Sequence, residues 1–119
     1  MAAEDPTAYL PLSPAVFHVM VSLADADRHG YAIIKDVDER TGGAERLGAG
    51  TLYAILKRLL DDRLIAELPA ARADLDDQRR RYYRLTPLGR RVAKAEVERL
   101  ERASAQARST GLFGRTRRA

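Results

Sequence analysis

Cysteine and tryptophan are both missing from the 119 residues, and so is asparagine. Without cysteine there can be no disulfide framework, no thiolate metal site and no thiol nucleophile. Histidine occurs twice, at His18 and His29, and neither has a second ligand at a useful spacing. A centre built on Cys or on a His cluster is thereby excluded, and neither a metal nor a cofactor is expected. Long uncharged runs are scarce. Thr7 to Ala24 is long enough to raise a membrane question. Pro11, Ser13, Pro14 and His18 interrupt it, and Glu4 and Asp5 stand where a signal peptide needs basic residues. No span, no signal peptide and no membrane partner are expected, and the missing cysteines suit a reducing cytoplasm.

What is present is 45% hydrophobic and 32% charged. That suffices for one modest core in one domain. The charge is unevenly spread. Residues 1–45 carry three basic and eight acidic side chains, a net of −5, whereas residues 46–119 carry 18 basic and nine acidic, a net of +9. Arginine concentrated in one half points to a polyanionic partner.

Residues 1–11 read as an arm ending in the apolar Tyr9 and Leu10. Ser13-Pro14 is a helix start, because serine can accept a bond from an orphan N–H and proline fits the first helical position. The helix it opens is apolar nearly all round and belongs at the centre of the core, with His18 read as a core histidine. Asp25 to Gly30 reads as a polar turn, with His29 as a cap or surface residue. A second helix follows over about Tyr31 to Thr41, and Gly42-Gly43 stops it. The third helix is expected from Ala49 or Gly50 to Asp61. Leu52, Ile55, Leu56 and Leu59 share one side, which is a core stripe. The opposite side carries Gly50, Ala54 and Lys57, flanked by Thr51, Tyr53 and Arg58, with no carboxylate before Asp61.

Two β-like segments, Leu64 to Leu68 and Arg80 to Leu85, are joined by a polar connection containing Asp74, Asp76 and Asp77. They read as a hairpin with solvated acids at its tip. Thr86-Pro87 opens a last helix running to about Arg108, roughly 33 Å long. Its stripe is Leu88, Val92, Ala95, Leu100 and Ala103. So thin and Ala-rich a stripe calls for a partner helix, and Tyr9, Leu10 and Phe17 are available to pack against a second copy. Residues 109–119 are expected to be a disordered basic tail.

Three helices, a hairpin and a long helix are the order of a winged helix-turn-helix with an appended dimerisation helix, mostly α with a small β-hairpin. The arm is placed at 1–11, the DNA-binding domain at 12–86 and the dimerisation helix at 87–108. In such a module the third helix enters the major groove and the wing rests on the backbone. The slim face at Gly50 and Ala54 can approach base edges, while Thr51, Tyr53, Lys57 and Arg58 offer donors. The run Arg79-Arg80-Arg81, with Arg84, charges the wing. Tyr82 and Tyr83 are read as wing packing. Gly48-Ala49-Gly50 is no phosphate loop, for it lacks the Gly-Lys-Ser/Thr ending.

Four segments in order carry a resemblance: Leu12-Ser13-Pro14, then His29 to Ile33, then Gly50 to Leu59, then Arg81 to Gly89. Together they resemble the PadR family of bacterial winged-helix transcriptional regulators, mostly repressors, in its compact subgroup with one dimerisation helix. The resemblance implies that Tyr31, Thr51 and Tyr53 lie at the DNA surface and that the basic wing reaches the minor groove or backbone. It further implies a homodimer on a roughly palindromic double-stranded operator and a repressor released by a small-molecule effector. Some relatives hold planar drugs between tryptophans, a mode this Trp-free chain does not support. Where the family often has glycine after the recognition helix, this chain has Arg63. A rival reading is a winged-helix protein–protein adaptor, which would expose an apolar patch on the third helix.

Overall fold

Local chemistry sets the helix boundaries. In the computed structural model, which describes residues 4–69 and 81–114, Ser13 caps α1 (Pro14–Asp25) by accepting the Val16 N–H at 3.2 Å. His29 does the same for α2 (Gly30–Arg40), its Nδ1 accepting the Ala32 N–H. Gly42, at φ +61°, turns the chain out of α2 in a Schellman ending, with Gly42 N–H bonded to Glu39 and Gly43 N–H to Asp38. Helix α3 (Ala49–Asp61) follows. Thr86 caps α4 (Pro87–Arg108), which has the predicted bounds.

The hairpin consists of β2 (Ile65–Glu67) and β3 (Tyr82–Leu85), antiparallel with Ile65 opposite Leu85. Tyr83 and Leu85 are buried while Arg84 faces water, as period two requires. The wing is not two-stranded, however. Within the segment read as a polar turn, Arg28–His29 forms a short strand, β1, pairing antiparallel with β3 in the order β1-β3-β2. A two-residue strand carries no periodicity by which a sequence could announce it.

Helix α1 sits at the centre, packed on α2, β3 and α4. Val19, Met20, Ile33, Leu52, Leu56 and Leu59 fill the core with almost no exposure. Truncating any of the large ones to alanine would cost about 2–5 kcal/mol. His18 is not in that core. It is half-buried on the outer side of α1, edge-on to Phe17. The tail also begins in an ordered form: Gly111–Phe113 make a short 3₁₀ helix, and the Arg108 guanidinium stands 4.6 Å above the Phe113 ring. The acids Asp74, Asp76 and Asp77 lie outside the described residues.

Candidate nucleic-acid interface

Helix α3 divides as its sequence predicts. Leu52, Ile55, Leu56 and Leu59 are buried, while Gly50, Thr51, Tyr53, Ala54, Lys57 and Arg58 are exposed. Its N-cap is Gly48, which offers no side-chain acceptor, and its first turn holds no acid. The orphan N–H groups there therefore point outward into a region favourable to anions. Lys57 reaches Asp61 at 3.4 Å and Arg58 reaches Asp62 at 4.0 Å, both as exposed pairs one turn apart. Such pairs contribute little, so either cation can turn to another anion.

Tyr31 and Tyr53 are 67% and 53% exposed, large values for aromatic side chains. Tyr53 is nevertheless placed. Its ring lies so close over the first residue of α2 that a Cβ on Gly30 would stand 2.5 Å from the phenol oxygen. Glycine at position 30 thus lets α3 lay a tyrosine across the start of α2, next to Tyr31. Beneath it, burial first, then Glu67 and Tyr53, push the Tyr83 phenol above its ordinary pKa. Tyr83 is wing packing, as expected, and Tyr82 stacks edge-on against His29.

Of the wing arginines, Arg79 and Arg80 lie outside the described residues. Arg81 is exposed and reaches Glu67 at 3.7 Å. Arg84 is engaged by Asp27, with Nε to Oδ1 at 3.1 Å and Nη2 to Oδ2 at 2.8 Å. That bidentate pair joins residues far apart in the chain, and nothing in their spacing signals it.

The residues assigned to a partner helix divide in two. Val92 is fully buried in the chain's own core, which corrects its assignment to the partner stripe. It lies in the first turns of α4, where α1 and the wing already cover the apolar side. Leu88, Ala95, Tyr9, Leu10 and Phe17 are half-buried. Ala103 and Leu100 are exposed, and so is Val97, which the heptad count passes over. Val97 falls within about 60° of Leu100 on the helix, so the two share an uncovered face.

Among the described residues no group of His, Asp and Glu is arranged to hold a metal ion, and no helix is long and apolar enough to cross a membrane. Residues 19–95 match the model of the transcriptional regulator PadR-like family. A protein of transposon TN4556 from Streptomyces fradiae is 36% identical over 86 residues, 72% of this chain. The chain spans 23% of that protein's length and 61% of a second curated relative's. A PadR family transcription regulator from Clostridium difficile superposes with a TM-score of 0.69 at 25% identity, covering 82% of this chain and 97% of that one. Bordetella bronchiseptica BpsR, whose DNA binding is regulated by 6-hydroxynicotinic acid, shares the fold with a TM-score of 0.63 at 22% identity, covering 85% and 66%. With the family model covering its core, α2, α3, the wing and the start of α4, this chain belongs to the PadR-like family of transcriptional regulators.

Proposed function

We propose that the chain is a sequence-specific double-stranded DNA-binding regulator acting as a homodimer in the cytoplasm, with α3 in the major groove. The observation that carries this reading is the outward side of α3. It is slim at Gly50 and Ala54, hydroxylated or basic at its edges, and free of carboxylates until its last turn. Tyr31 extends it from α2, and residues 79–81 with Arg84 bring positive charge to the backbone or minor groove. With no asparagine and two glutamines in the sequence, carboxamide readout of adenine has little to work with. Arginine-to-guanine contacts and DNA shape are the remaining means of discrimination. The adaptor reading has less support, since the described outer side of α3 exposes no aliphatic side chain larger than alanine apart from the stem of Lys57.

A dimer would present two α3 helices to half-sites one helical turn apart, ~34–36 Å, on a roughly palindromic operator. The uncovered face at Val97 and Leu100 is the surface we assign to the partner. A repressor role follows the habit of the family, and an effector entering that interface would act by preferring one arrangement of the two α3 helices. Control of DNA binding by a small molecule in BpsR, which shares the fold, supports that reading.

The test is selection of a duplex from a random library, followed by titration of Thr51→Ala and Tyr53→Ala. Each should weaken operator binding by about 1–3 kcal/mol while the melting temperature moves by a few degrees at most. Full affinity in both variants would remove α3 from the interface.

A further inference from the structure

The register that pairs β1 with β3 sets Arg28 opposite Tyr83 and His29 opposite Tyr82. One step further along the same antiparallel register, Asp27 stands opposite Arg84 on the solvent side of the sheet. On the other flank Arg84 faces Ala66, which offers no charge. The guanidinium therefore has its fork filled by both oxygens of the Asp27 carboxylate. Two parallel N–H···O bonds to an anionic pair of oxygens are also how arginine grips a phosphate.

The pair is not buried. The Arg84 side chain keeps 54% and Asp27 34% of its accessible surface. An ion pair that wet contributes little to folding. Other acids near basic residues here play a different part. Asp36, for example, is largely enclosed and joins Arg28 and Arg40 in a network between α1 and α2. Asp27 and Arg84 are held in the geometry of a phosphate contact while remaining open to exchange.

We propose that Asp27 is an internal substitute for a DNA phosphate, occupying the Arg84 guanidinium in the free protein and yielding it to the duplex backbone. Asp27 is thus a positioning residue that sets how tightly the wing holds DNA. The proposal rests on the DNA-binding reading above. The consequence is a competition. When Arg84 moves to a phosphate it releases a counterion from the DNA, but its two bonds to Asp27 must break and the carboxylate is left facing the phosphates. With Asp27 neutralised, the same contact forms without that cost.

The experiment titrates wild type, Asp27→Asn and Asp27→Ser against the selected operator and an unrelated duplex of equal length, across a salt series. Both variants should keep a slope of log affinity against log salt close to wild type, since the same phosphates are neutralised. Both should also tighten binding roughly threefold to tenfold near physiological salt, equally on the two duplexes, because phosphate contacts carry no sequence information. In an Arg84→Gln background Asp27→Asn should have no effect. An unchanged affinity in folded variants would make the pair a static clip between β1 and β3 and overturn the proposal. So would a gain that survives in the Arg84→Gln background, since that marks a general charge effect, and so would unfolding of both variants. If wild type itself shows no salt-dependent duplex binding, the DNA-binding reading fails and takes the proposal with it.

Discussion

Arg63 occupies a left-handed backbone conformation, φ +62°, with an ordinary side chain. It stands just past the end of α3 in a Schellman ending, where Arg63 N–H bonds to Leu60 and Leu64 N–H to Leu59. The same ending after α2 is made by Gly42, at no steric cost. Arg63→Gly should therefore relieve strain and, after the added freedom of the unfolded chain, stabilise the fold by about 0.5–1 kcal/mol. Thermal melts would show it as a rise of a few degrees. Gly30 presents the reverse case. A methyl group there meets the tip of Tyr53, an exposed side chain that can swing aside. Gly30→Ala should leave the melting temperature within a few degrees yet reduce operator affinity roughly tenfold, as the tyrosine loses its seat. A large drop in melting temperature with normal DNA binding would place the Tyr53 phenol outside the interface.

Among the elements, the joint between wing and α4 tolerates least. A Cβ on Gly89 would lie 2.0 Å from the Leu64 carbonyl oxygen, a backbone atom that cannot step aside. Gly89→Ala should destabilise by about 3 kcal/mol or more, measurable in urea as a lower midpoint. On the same helix Glu96 is 2% exposed, its carboxylate gripped by both arms of the Arg99 guanidinium at 2.8 Å. Those bonds, outweighing burial and aided by the Leu12 N–H, hold its pKa below the ordinary carboxylate value. A carboxylate lowered on folding stabilises fully above its ordinary value, and that contribution fades as pH falls through the lowered one. Stability should thus drop as pH falls below the ordinary glutamate value, and Glu96→Gln should flatten that drop in melts across acidic pH.

Three of the four helices were legible in sequence because each has a cap or a stop in the right place, Ser13-Pro14, Gly42 and Thr86-Pro87, and α3 was legible from its stripe of Leu52 to Leu59. The exposed side of α3 followed from that stripe by elimination. What stayed hidden depends on contacts between distant segments. The strand at Arg28–His29 exists because β3 offers it an edge, and the Asp27–Arg84 pair follows from that edge. Val92 was misplaced because one continuous stripe on α4 serves two coverings, the chain's own core early and open solvent later. His18 was misplaced because the apolar run of α1 gives no sign of which side turns outward.

At the scale of the whole molecule, α4 leaves the body of the domain after Glu96, and Val97 and Leu100 face solvent beyond it. Leu100→Asp should put a charge into the surface we propose for the dimer contact and shift the protein toward monomer at micromolar concentration. Light scattering would read that shift, and operator affinity should fall with it, because each half-site contact would then be made alone. A persistent dimer would locate the two-fold contact elsewhere.

The Thr86 side chain carries a mechanical meaning beyond capping. Its one hydroxyl donates to the Arg63 carbonyl at the end of α3 and accepts the Gly89 N–H at the start of α4, while its own N–H bonds to Leu64. The exit of α3 and the root of the long helix are thus joined through one residue, with Gly89 pressed against the same turn. In the homodimer we propose, an arm ~33 Å long fixed to α3 in this way would work as a pair of calipers: a few degrees of pivot where two such arms cross would become a change of ångströms in the gap they span.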